Sequence, residues 1–541
     1  MESLPPELMA RIFSIVAVKE KKLTPYAKIS RAWQRTVEQH TFSHLSFSSD
    51  ELDRFNFTVI GSPYIHRRTA IRRVDFGVRL PDYNHNACGR FERQADRQIN
   101  DKAFGKALAD LFTLLQAIDA GDGCRPIDLH LLHFYSALDI NCRDEETLRA
   151  QKMAKASGKR QDLFELRCRD SYLHLFQPES LPLLHNVTSL TINGNTARKL
   201  APAVAPGLMS RLPNLVSTNC SFSDMERKRP NRRTRLRSEF SKQLISIGTP
   251  NCLQKFVFEL RHMNPANENF LNADVRGVVQ SPYVDDLSTA LRKYSQAAPG
   301  LSIFKLSGPI CVGPEIFQSS GADEEDGHKQ QQWQELKVVT VELSAVRPDG
   351  GWYTELDPNR GSDSSEEEQD EDEDGEDAGS EDLGDVIHDG MNSQGSSSGY
   401  DSGDSFFAMD ELPPDSYGHD DEKRDLRLNG QEPSAYFRTK PTPELEALFT
   451  SAAHAAARVP SLRNMRVSLQ INPSGRTGRK KQNIGFLYLA AGVKGARDVG
   501  KERDCKRLLW DAPKGWRMSG QLQEQWMSVL GDDGIVKYKE W

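Results

Sequence analysis

One apolar spacing recurs along this chain and constrains its fold more than any other feature. An apolar residue is followed three and five positions later by two more. It reads Ile71/Val74/Phe76, Val187/Leu190/Ile192, Leu253/Phe256/Phe258, Leu301/Phe304/Leu306, Leu336/Val339/Val341 and Leu462/Met465/Val467, with Leu215/Thr218/Cys220 as a weaker copy. Alternation in the last three positions fits a short strand with one buried face. Pro213, Pro250, Pro299 and Pro460 stand just before several copies.

Helical segments precede the strands. Asp101 to Ile118 places Phe104, Leu108, Leu111, Leu115 and Ile118 on one stripe, ahead of a strand from Ile127 to Leu132. Asp286 to Ala297 precedes Leu301, and Pro443 to Arg458 precedes Leu462. Helix, proline and short strand, repeated, predict an α/β fold of irregular leucine-rich-repeat-like solenoid form. The gaps between copies are longer and less regular than the ~20–29 residues of standard repeats, so an ordinary α/β domain with Leu-rich strands is the alternative.

The first 48 residues differ in kind. Leu8, Ile12, Ile15 and Val16 share one helical face, and Tyr26, Ile29, Trp33 and Val37 make a second stripe. Pro5 and Pro6 suit a helix entry, while Thr24 and Pro25 predict an N-cap and first turn for the second helix. Phe42, Leu45 and Phe47 are expected to close the unit. So short a unit buries too little to stand alone, which points to docking on a partner.

This stretch resembles an F-box of the form common in fungal F-box proteins, through Leu4, Pro5, Glu7, Leu8, Ile12, Phe13, Ile29, Ser30 and Trp33. Where such proteins carry a second Leu-Pro, this chain has the charged Val18-Lys19-Glu20-Lys21-Lys22-Leu23. The resemblance implies that Leu4, Pro5, Leu8, Ile12, Phe13, Ile29 and Trp33 contact a Skp-type adaptor, and through it a cullin-based ubiquitin ligase. The chain would then be a receptor whose repeat region takes an unidentified protein target. The alternative is a nuclear scaffold or binding protein without ligase association.

The net charge of −7 conceals two opposite parts. Residues 361–422 hold 23 Asp or Glu and no Lys or Arg, so the rest of the chain carries +16. Residues 361–430, with few apolar side chains, are expected to form a disordered acidic insertion. Asp401-Ser402-Gly403-Asp404-Ser405 and Ser364-Ser365 within them look like phosphorylation sites. The expected division is therefore an F-box-like helical module at 1–48, repeats at 49–360, the insertion at 361–430, and further repeats with a Trp-rich cap at 431–541. Trp510, Trp516, Trp526 and Trp541 concentrate in that cap.

A basic run, Arg227-Lys228-Arg229-Pro-Asn-Arg232-Arg233-Thr-Arg235-Leu-Arg237, is a candidate nuclear-import signal or phosphate-contacting patch, and the alternative is a solvated loop leading into a helix at about Leu236. No aromatic residues are interleaved in it, so nucleic acid is not the expected partner. The eight cysteines form no CxxC pair, and no metal site or cofactor is expected. His130 and His133 read as packed or edge histidines of a strand. No nucleophile elbow, metalloprotease motif or phosphate loop appears, since Gly475 and Gly478 stand too close together and Ser/Thr does not follow Lys480. A non-enzyme, nuclear and/or cytoplasmic, with no membrane span, is the resulting expectation.

Overall fold

The computed structural model describes residues 6–19, 23–61, 64–83, 92–119, 125–137, 168, 171–196, 198–277, 284–318, 333–356, 419–431, 438–471, 482–495 and 500–540. It is a mixed α/β structure built on one large, mostly parallel sheet. Three helices come first: α1 (Pro6–Lys19), α2 (Thr24–Ala27) and α3 (Arg31–Thr41). The strands are β1 (His44–Ser48), β2 (Arg73–Leu80), β3 (Ile127–Ser136), β4 (Tyr172–Leu173), β5 (Val187–Asn193), β6 (Lys199–Leu200), β7 (Ser217–Ser223) and β8 (Lys255–Arg261). They continue as β9 (Ile303–Ile310), β10 (Val338–Leu343), β11 (Thr354–Leu356), β12 (Arg438–Pro441), β13 (Asn464–Ile471), β14 (Gln482–Leu489), β15 (Arg507–Ala512) and β16 (Ile535–Glu540).

Twelve of these strands pair in chain order, β1-β2-β3-β5-β7-β8-β9-β10-β13-β14-β15-β16. All neighbours from β1 to β13 are parallel, β13-β14-β15 are antiparallel, and β16 returns parallel to β15. The two short pairs β4-β6 and β11-β12 stand apart.

The recurring apolar spacing marks the strands and their register. Val74, Leu129, Leu190, Thr218, Phe256, Phe304, Val339 and Met465 are successive cross-strand partners. Their i+2 neighbours, Phe76 to Val467, form a second row in the same way, and all point into one continuous core. The first residue of each copy lies just before its strand or opens it, and is buried too: Ile71, Leu253, Leu301, Leu336 and Leu462. The weaker copy is strand β7, where Cys220 and Phe222 keep the same inward direction.

Helices cover that face. Gln94–Asp119 buries Phe104, Leu108, Leu111 and Leu115, starting seven residues before the expected Asp101. Asp286–Ala297 has the expected bounds, with Asp285 capping it by accepting from the Ser288 amide. Pro443–Ala457 buries Leu445, Leu448, Phe449 and Ala452. At the far end Trp510, Phe486 and Trp526 pack face and edge, with Trp516 stacked on Trp510. Trp541 lies outside the described residues.

Two expected boundaries move. Leu45 and Phe47 do not close the helical unit; they form β1, the first strand of the sheet, where Phe47 stacks on Phe55 and meets Phe76 edge-on. The expected insertion at 361–430 is also too long at its end. Residues His419–Leu428 are a helix, tied down by Lys228 Nζ to Asp425 at 2.5 Å and by the Asn267 amide to the Gly430 carbonyl at 2.9 Å.

Candidate partner-docking surfaces

The N-terminal helices carry their own small core. Phe13 of α1 meets Trp33 and Val37 of α3, with Leu23, Tyr26 and Ala27 packed around them. Tyr26 stacks on Trp33 at 6.3 Å, and Phe13 meets His40 edge-on at 5.3 Å. The second stripe is not one helix. It breaks after Ala27, and Ser30, extended at φ −161°, accepts from the Trp33 amide and caps α3. That break sends Ile29 outward while Trp33 turns in.

The candidate adaptor residues therefore divide. Phe13 and Trp33 are buried in the helical core, so the expectation that they touch a partner is corrected: they hold the helices together. Leu8, Ile12 and Ile29 face solvent, at 47%, 41% and 52% exposure, and Ile15 joins them at 57%. Leu4 and Pro5 lie outside the described residues. Four branched aliphatic side chains thus lie exposed on one small unit, an unusual grouping for a soluble surface.

This unit is clamped to the short helix Ile65–Ala70, which leads into β2. Glu38 of α3 receives Arg67 Nη2 at 2.7 Å and Nε at 3.0 Å, sits 2.7 Å from His66 Nε2, and accepts from Gln34 at 3.0 Å. The Arg67 hydrogen bond, opposed by partial burial, holds the Glu38 carboxyl down at about 2. Arg67 also lies over the Phe42 and Tyr64 rings. No sequence spacing announces this bidentate pair, whose partners are 29 residues apart.

The second surface is the sheet face opposite the core helices. Its outward residues alternate with the buried rows: His44, Arg73 and Asp128 at one end, Thr191, Asn219 and Ser221 in the middle, then Lys255, Lys305, Thr340 and Arg466. All are exposed or half-buried. His130 belongs to this face, 3.5 Å from Asp75, which also takes His44 at 2.7 Å and Arg73 at 2.7 Å. His133 is exposed beyond it. Among the described residues no His, Cys, Asp or Glu grouping is arranged to hold a metal ion.

No family model matches this chain, and no curated protein matches it significantly.

The basic run is placed quite differently from either expectation. Pro230–Ser246 is a helix, with Pro230 in its first turn, and Arg229, Arg232, Arg233 and Arg237 are buried. Arg233 makes a two-pronged pair with Asp224 at 2.7 and 2.8 Å. Arg237 bridges Asp224 at 3.0 Å, Asp285 at 3.3 Å and the Cys311 carbonyl at 2.8 Å. Arg232 reaches Glu226, Lys228 reaches Asp425, and Arg227 donates to the Asn429 carbonyl. Arg235 stays half-exposed beside Glu239. Burial alone would raise the Asp224 carboxyl, but Arg233 and Arg237 reverse this and hold it at about 2. Burial, then Arg233, pushes His262 well below its usual range. The exposure an import signal or phosphate patch needs is absent at these four arginines. The run stitches the loop after β7 to the helices and to the insertion's returning end.

Proposed function

We propose that this chain is a non-catalytic substrate-recognition subunit of a Skp-cullin-F-box ubiquitin ligase, with the N-terminal helices taking the adaptor. The observation that carries this reading is the outward set Leu8, Ile12, Ile15 and Ile29 on helices that already have a separate internal core. An apolar face left over after the core is filled is what a docked partner buries. The sheet, with its strands in chain order and one open face, is read as an irregular leucine-rich-repeat-like solenoid offering that face to a protein target. The ligase's chemistry would occur on its partners, and the receptor would contribute proximity. This reading puts the protein in the nucleus and/or the cytoplasm. Among the described residues no helix is long and apolar enough to cross a membrane.

The test is co-purification with a Skp-type adaptor. Leu8→Ala with Ile12→Ala should weaken adaptor capture at least tenfold, since each side chain would forfeit about 1.5–3 kcal/mol of burial. Both residues are exposed in the free chain, so the melting temperature should not move. Wild-type capture by this folded double variant, or no adaptor with the wild type, overturns the reading and leaves a scaffold without ligase association.

A further inference from the structure

We propose that the acidic segment of this chain between Leu356 and His419 seats on the open sheet face across β8, β9, β10 and β13, held by Lys255, Lys305 and Arg466. The three cations project from the face left open by the helices. Register puts Lys305, Thr340 and Arg466 side by side on consecutive strands, with Lys255 one row away on β8. Strands ~4.8 Å apart set Lys305 and Arg466 ~10 Å from each other, which is three residues of an extended chain. Lys337 and Arg463 stand just before β10 and β13, Lys337 in a depression that also holds Glu335.

None of these five side chains has an ion pair or side-chain hydrogen bond among the described residues. Two carboxylates beside Lys305 on this face are engaged. Glu259 receives Arg261 at 2.7 Å, and Glu342 accepts from the Gly308 amide at 3.2 Å. Cations without an ion pair among the described residues are thus gathered where the sheet is open, unlike Arg233 and Arg237, which pair closely with Asp224.

The occupant is argued from the same chain. Residues 361–422 carry 23 carboxylates and no Lys or Arg, with runs at Glu366–Glu368 and Asp370–Asp374. Both flanks are fixed to the body, one through β11, paired with β12, and the other through the His419–Leu428 helix. The roughly 60 residues between them reach up to ~200 Å when extended, far more than the few strand spacings of the basic strip. A ligand tethered in this way has an effective concentration on the order of millimolar near its own surface, which an untethered acidic partner would have to match. The seating does not depend on adaptor binding, and its tests contain no adaptor.

Lysine acetylation footprinting on the intact chain tests it. At 50 mM salt Lys255 and Lys305 should react at least fivefold more slowly than at 500 mM, relative to exposed Lys102, because screening releases the segment. A full-length variant with the Asp and Glu of residues 363–377 changed to Asn and Gln should react at the high-salt rate throughout. In that variant a labelled peptide of residues 363–377 should bind, weaken at least tenfold from 50 to 200 mM salt, and fail to bind once K255E, K305E and R466E are added. Equal footprints in the native and neutralised chains overturn the proposal, as they would if the true occupant were another protein's acidic segment. So does peptide binding that survives the three reversals.

Discussion

At the scale of single residues, identity alone does not say which way a side chain serves. Phe13 and Leu8 are both apolar residues of α1, yet one fills the helical core and the other faces water. Phe13→Ala should therefore cost about 3–5 kcal/mol of local stability and raise backbone hydrogen exchange across 6–41, whereas Leu8→Ala should change neither. The buried arginines make the same point with charge. Arg233→Ala would leave Asp224 buried beside Arg237 alone, and should destabilise the protein by about 3–5 kcal/mol, read as a lowered denaturation midpoint. Arg235→Ala, on the half-exposed side of the same helix, should shift it by less than about 0.5 kcal/mol. The sequence shows seven basic residues in eleven but not the acids that meet them: Asp224 lies 9 residues from Arg233, and Asp285 lies 48 from Arg237. A dense cationic run is usually solvated, and only tertiary placement of Asp224 and Asp285 reverses that expectation here.

Among elements, the strands were legible because their apolar alternation is enforced by the core. Leu253/Phe256/Phe258 reads as a strand before any fold is known, and Phe258 does pack on Phe240 of the covering helix at 4.7 Å. Even Leu215/Thr218/Cys220 was readable, since register, not hydrophobicity, decides its place. The break between α2 and α3 was not legible, because helical spacing continues across Ser30 while its cap geometry interrupts the helix. Nor did spacing reveal how α3 attaches to the helix Ile65–Ala70 ahead of β2. Glu38 has its folded pKa at about 2, below the ordinary value of 4.5. A depressed carboxyl contributes stability that is present above its unfolded pKa and lost as pH falls through the folded one. The clamp to Arg67 and His66 should thus weaken between pH 4.5 and about 2. Limited pepsin digestion at pH 3 should cut within 23–41 faster than within β8, and Glu38→Gln should give that susceptibility without further dependence on acidity in this range.

For the molecule as a whole, the order of strands in the sheet is the order in the chain, so most contacts of a strand lie with its neighbours on either side. Such an array opens from its ends, where a strand has one neighbour, before its middle, where it has two. β8 and β9 are central, and Phe256 stacks on Phe304 between them at 5.9 Å. β16 has β15 as its single partner, and its residues are half-buried or exposed. Phe256→Ala should accordingly cost about 3–5 kcal/mol and lower the main unfolding transition. Val536→Ala should cost less than about 1.5 kcal/mol, because its half-buried methyls leave little cavity. Native-state hydrogen exchange separates the two: Phe256→Ala should speed exchange in β7 through β10 together, while Val536→Ala should speed it in β16 alone. The core is continuous from Leu52 to Leu530, so there is a rival outcome in which the sheet opens all at once. Equal acceleration of β8 and β16 by Val536→Ala would show that rival and remove the end-to-centre gradient, and with it the energetic ground for treating the sheet as a stack of neighbour-dependent units.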